Sequence, residues 1–119
     1  LSKQLILEVN ELIIPAKLNN SIAARSFAKR LPIDLKGFRS SVDYSCNAPC
    51  TVFDPTETQS GWQNGDISLS SGWFAIFFDG QEKSKRNRGL MIIAHIEPEY
   101  LQLIKALPET IKIKVKLAE

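Results

Sequence analysis

The side chains able to do chemistry in this chain are few and scattered. Cys46 and Cys50 are its two cysteines, and three residues separate them. Redox pairs and zinc knuckles use two intervening residues, and a structural zinc needs four ligands. The sole histidine, His95, lies far along the chain, so the spacing favours two free thiols over a local disulfide, and either over a metal. No metal and no cofactor is expected. His95 follows Ile92-Ile93-Ala94 in strand context, with no serine or cysteine nucleophile motif pointing at it, and reads as a histidine satisfied by a neighbour.

Charge offers two further candidates. Lys83-Ser84-Lys85-Arg86-Asn87-Arg88 places four cations in six positions, enough to attract a phosphate or carboxylate locally. No aromatic residue interleaves them, as a single-strand nucleic-acid binder requires, and no phosphate-cradling glycine motif is present, so the segment reads as a solvated loop. Asp43, Asp54, Glu57 and Asp66 occupy or follow a long polar stretch, where nothing fixes a catalytic separation between carboxylates. Trp62, in Ser60-Gly61-Trp62-Gln63-Asn64, either folds back as a lid over the core or lines a ligand surface. With Tyr44, Phe53 and Arg39 it forms the candidate ligand-binding set. Arg39 alone is a candidate for catalysis, as the one arginine placed on a strand.

These side chains must be positioned by a β-rich frame. Leu5, Leu7 and Val9 alternate with polar or outward residues, and Asn10-Glu11 turns the chain into Leu12 to Leu18, an amino-terminal hairpin in which Pro15 should face an open edge or a bulge. Asn19-Asn20-Ser21 supplies side-chain oxygens to cap a short helix whose apolar face is Ile22, Ala23, Phe27, Ala28 and Leu31, with Lys29 and Arg30 at its negative end and Pro32 stopping it. Ile33 to Ser40 reads as a strand with a bulge at Gly37. Ser41 to Asn64 reads as a surface excursion, functional or holding a short strand near Thr51-Val52-Phe53. Two dense apolar runs, Trp73 to Phe78 and Leu90 to Ala94, read as the arms of a buried hairpin around Gly80 to Gly89. Pro98 opens a second short helix, and Ile111 to Leu117 alternates into a strand with one lysine face, suited to a blunted edge. The sum is a mainly β domain of about seven or eight strands and two short helices, a closed or nearly closed antiparallel sheet.

Bulk properties narrow the function classes. A chain of 119 residues makes one domain, able to bury roughly two-thirds of the surface exposed when unfolded. Its 15 basic and 13 acidic residues leave a formal charge of +2, far from the imbalance of a nucleic-acid binder. No apolar run approaches the ~18 residues of a spanning helix, and the amino terminus lacks the zones of a signal peptide, so a cytoplasmic location is expected and no membrane partner.

One ordered series of segments resembles a known family. Ser21-Ile22-Ala23-Ala24-Arg25-Ser26-Phe27-Ala28-Lys29-Arg30-Leu31-Pro32-Ile33-Asp34-Leu35, then Asn64-Gly65-Asp66-Ile67, then Trp73 to Phe78 and Ile93-Ala94-His95-Ile96, is similar to the bacterial and archaeal cyclophilin-like fold proteins, small stand-alone domains of unknown function. The resemblance covers nearly the whole chain. It implies a closed antiparallel cyclophilin-like β-barrel of about eight strands with two short helices covering its ends, as monomer or weak homo-oligomer. It carries no activity with it, because a shared fold is not a shared site.

Two functions follow as expectations. The first is a binding module for a small molecule or an extended peptide at the barrel mouth, since concave sites gather at barrel mouths and functional residues on long loops. The second is a prolyl cis/trans isomerase with an altered site. True cyclophilins use an arginine beside an apolar proline pocket, and their signature around that arginine is missing here, with Gly37-Phe38-Arg39-Ser40 only an echo of it.

Overall fold

In the computed structural model, residues 3–49 and 52–119 are described; Cys50 and Thr51, and with them any pairing of Cys50, lie outside the described residues. The described residues form eight strands: β1 (Gln4–Val9), β2 (Leu12–Leu18), β3 (Ile33–Arg39), β4 (Asp43–Asn47), β5 (Asp66–Ser70), β6 (Trp73–Phe77), β7 (Ile92–His95) and β8 (Thr110–Leu117). They close into an antiparallel barrel in the order β1-β2-β7-β5-β6-β4-β3-β8. Two short helices, α1 (Ile22–Ala28) and α2 (Leu101–Lys105), and three short 3-10 segments complete the described residues.

Alternation builds the barrel wall. Leu5, Leu7 and Val9 of β1, Ile14 and Ala16 of β2, and Ile111, Ile113 and Val115 of β8 point inward and are all 3% exposed or less. A period of two puts every second side chain in the core, so each of these strands buries one apolar row and solvates the other. β8 is paired on both flanks, with β1 and with β3. Its lysine face therefore lines the outside of a closed wall and protects no edge. Pro15 falls where β2 is paired through β1 only, because β2 meets β7 at just Lys17↔His95 and Leu18↔Ala94.

Three sequence expectations need correction. Trp73–Phe77 and Ile92–His95 do not form a hairpin with each other, because β5 lies between them and pairs with both. The basic segment instead crosses over the outside of β5, and its middle forms a 3-10 turn, Gln81–Arg86, that is exposed apart from Ser84. The strand in the polar excursion is Asp43–Asn47, with Tyr44 and Cys46 inward, and no strand forms at Val52-Phe53. Gly37 is not bulged: it pairs regularly with Cys46 and Ile111. Close approach explains it, since a Cβ there would lie 2.8 Å from Cys46 Sγ and 3.3 Å from Ile111 Cγ1.

The two helices sit at opposite ends. Strand ends Gln4, Leu18, Ile33 and Leu117 surround the mouth over which α1 passes, and Phe27 stacks on the core ring of Phe74 at 5.5 Å. Ser21 caps α1, its Oγ accepting from the Ala24 amide at 3.1 Å. The opposite mouth, near Arg39 and Thr110, is closed by α2, which inserts the buried Ile104.

Candidate functional site

The expected site residues do not converge. Arg39 and Tyr44 meet at the α2 mouth, where Arg39 Nη1 donates to Tyr44 Oη at 3.0 Å and its guanidinium lies 4.7 Å from the Phe78 ring centre. Tyr44 Oη lies 2.8 Å from the Leu107 carbonyl and 2.6 Å from that of Pro108. The pair clamps the segment after α2 onto the barrel. Phe53 stands on the loop, 70% exposed.

Trp62 lies on the outer wall. It is 8% exposed and stacks on Phe77 at 4.0 Å with an interplanar angle of 13°, forming with Ala75 a small apolar cluster outside the barrel core. Its Nε1 donates to the Asp79 carbonyl at 2.9 Å, and its amide donates to the buried Ser84 hydroxyl at 3.0 Å. Trp62 thus ties the basic crossover to β6. Beside it runs a shallow concavity of about 330 Å³ that also touches Asp43, Ser45 and Trp73.

A larger cleft opens at the α1 mouth. It has a volume of about 700 Å³ and a floor of Leu18, Ala94, Ile92, Ala28 and Leu117. Its rim carries Lys3, Lys17, Arg25, Lys29 and His95 against one carboxylate, Glu97. These groups come from four separate places in the chain: the approach to β1, β2, α1 and β7. Strand pairing sets Lys17 directly opposite His95.

His95 is held in one orientation. Its Nδ1 lies 2.8 Å from Asp66 Oδ1, and the second Asp66 oxygen accepts from the Gln63 amide at 2.8 Å. A carboxylate only accepts, so Nδ1 carries the proton and Nε2 is the nitrogen left for other contacts. Asp66 is 6% exposed, and no group of the described His, Cys, Asp and Glu residues is arranged to hold a metal ion. Gly65 allows the approach: a Cβ there would lie 2.2 Å from the Ile96 carbonyl and 3.1 Å from the imidazole Cε1. Two segments of the family resemblance, Asn64 to Ile67 and Ile93 to Ile96, are thereby joined through a side-chain hydrogen bond in addition to their strand pairing.

Sequence reasoning gave His95 a satisfied structural place, which the Asp66 contact supplies, but gave Lys17 and Arg25 no role. One signal was available. Arg25, on the seven-residue helix, and Lys29, its C-cap, stand four apart, a like-charge pair that disfavours the helix unless something else uses it.

Cys46 is buried in the barrel, and burial, aided by the Asp43 carboxylate, pushes its thiol up to about 12. Such a thiol is neutral and unreactive at ordinary pH.

Fold and site together define a class: a small closed β-barrel with one mouth plugged and the other opening into a cationic cleft. The chain belongs to the Cyclophilin-like family, whose model matches residues 7–116. It is similar in fold to a hypothetical protein from Archaeoglobus fulgidus solved in solution, with a TM-score of 0.73, 15% identity, and coverage of 98% of this chain and 95% of that one. No curated protein matches the chain. No helix is long and apolar enough to cross a membrane.

Proposed function

We propose that the protein is a binding module for a small molecule, held in the cleft at the α1 mouth. One observation carries this reading: a concavity of about 700 Å³, within the range of small-molecule sites, with an apolar floor and a rim of convergent polar groups. Trp62 borders two concavities, of about 330 Å³ and a more polar one of about 860 Å³, but its ring face and Nε1 are already occupied by Phe77 and Asp79.

Geometry gives the isomerase alternative little support. A cyclophilin-type site needs a free donor beside an open proline pocket to draw the prolyl nitrogen out of resonance. Arg39 is committed to Tyr44, Leu107 and the Phe78 ring, and it lines neither the α1 cleft nor the groove beside Trp62. A proline-peptide isomerisation assay is expected to return the uncatalysed rate; acceleration abolished by Arg39→Ala would reinstate the enzyme.

An amide-resolved NMR screen of small-molecule fragments tests the binding reading. Hits should move the amides of Leu18, Asn19, Arg25 and His95. Hits that instead gather on Ala75, Phe77 and Leu90 would transfer the site to the outer wall. Tryptophan fluorescence is a poor reporter here, because neither Trp62 nor Trp73 lines the cleft.

A further inference from the structure

We propose that the α1-mouth cleft takes a small organic anion, its carboxylate or phosphate group held by Lys17, Arg25 and Lys29 with the Nε2 side of His95, and its apolar body laid on Leu18, Ala94 and Leu117. The proposal rests on the reading of this cleft as a binding site and specifies the class of molecule it holds.

Unmatched charge is the first argument. Lys3, Lys17, Arg25 and Lys29 form no ion pair among the described residues, and Glu97 is the lone acid on the rim. The chain as a whole is nearly neutral at +2, so this is a local concentration of positive charge. On the outer face of β8, by contrast, Lys114 lies between Glu8 and Asp34 and Lys116 pairs with Glu8 at 2.9 Å, while Lys112 stands opposite Lys36 on a face that encloses no concavity of comparable depth. Cations crowded around a concavity with low-dielectric walls repel one another and focus a field that an anion relieves.

The second argument is orientation. Asp66 fixes the His95 ring from the β5 side and Gly65 approaches its Cε1, so the remaining ring edge turns away from β5, toward the β2 side where Lys17 stands opposite. An imidazole held this way offers the same ring edge to every ligand. Arg25 adds a planar guanidinium suited to two oxygens of a carboxylate or phosphate at once. The floor supplies the third argument: buried Leu18 and Ala94 with half-buried Leu117 favour a ligand with an organic body over a bare inorganic ion.

Benzoate and phenyl phosphate, with neutral benzyl alcohol as their match, are titrated into the protein at low ionic strength and followed by amide-resolved NMR. Both anions are expected to move the amides of Leu18, Asn19, Arg25 and His95 saturably, at least about tenfold more tightly than benzyl alcohol, and to weaken as salt is added. The double variant Lys17→Gln/Arg25→Gln, altered only at exposed side chains, should lose at least about tenfold in anion affinity while its spectrum elsewhere superimposes on that of the wild type. Benzyl alcohol binding as tightly as the anions would overturn the anion assignment and leave the binding cleft standing. If none of the three moved the cleft amides, both readings would fall. Equal shifts along Lys112 to Lys116 would show unspecific charge attraction and overturn the proposal as well, whether or not the double variant folds.

Discussion

At the α2 mouth the one arginine, Arg39, has its guanidinium over the Phe78 ring and bonded to Tyr44 Oη, whose hydroxyl reaches two further carbonyls. At the α1 mouth Lys17, Arg25 and Lys29 face a cleft whose one carboxylate, Glu97, forms no ion pair with them among the described residues. The same barrel thus consumes charge at one end to hold a helix and leaves it available at the other. Mutations should separate the ends, with stability lost at the α2 mouth and affinity at the α1 mouth.

The largest effect is expected at Tyr44. Replacing this fully buried ring by alanine should cost about 3–5 kcal/mol, measured by denaturant unfolding, with a smaller loss of about 1–3 kcal/mol for Tyr44→Phe, which strips only the hydroxyl. A cost under about 0.5 kcal/mol for the alanine, the range of surface changes, would erase the contrast between the mouths.

Between the mouths lies Cys46, where a pH effect is expected. Its folded pKa is raised, so the buried neutral thiol contributes stability in full below the ordinary thiol value of 9.0 and loses it as pH rises toward about 12. At pH 10 the wild type should have lost about 1 kcal/mol relative to Cys46→Ala, each protein being referred to its own stability at pH 7. In a Cys50→Ser background the remaining thiol should react with thiol reagents at pH 8 only as fast as the protein opens; reaction within seconds would place Cys46 outside the core.

The smallest effect has the opposite sign. Arg25→Glu replaces a repelling pair on α1 by a Glu-to-Lys pair four residues apart, and should raise stability by a few tenths of a kcal/mol while removing anion binding. A measurable loss of stability would show that Arg25 supports the fold, and the two mouths would then be alike.

Strands whose alternation is apolar were legible in the sequence, as at Leu5 to Val9 and Ile111 to Leu117, because burial of one face imposes a period of two. A helix cap within Asn19-Asn20-Ser21 was equally visible, being a local hydrogen bond, and the structure assigns it to Ser21. β4 was not: in Asp43-Tyr44-Ser45-Cys46-Asn47 the inward residues are a tyrosine and a cysteine among polar neighbours, and it reads as loop. Pairing order was hidden as well, since nothing in Trp73 to Phe77 or Ile92 to His95 says that β5 will lie between them. The cleft was least visible, because Lys17, Arg25 and His95 meet only when the barrel closes.

That closure is made by a seam of unequal strength. β1 and β2 are matched over six residue pairs, whereas β2 and β7 share two, Lys17↔His95 and Leu18↔Ala94, with Asn19 adding one backbone bond to Ile93. A zipper with so few teeth parts first, so native-state hydrogen exchange should begin along it well before global unfolding. Anything lodged between Lys17, α1 and His95 would act as a staple across that gap, and slowed exchange at Asn19 would register its arrival without reference to what the molecule is.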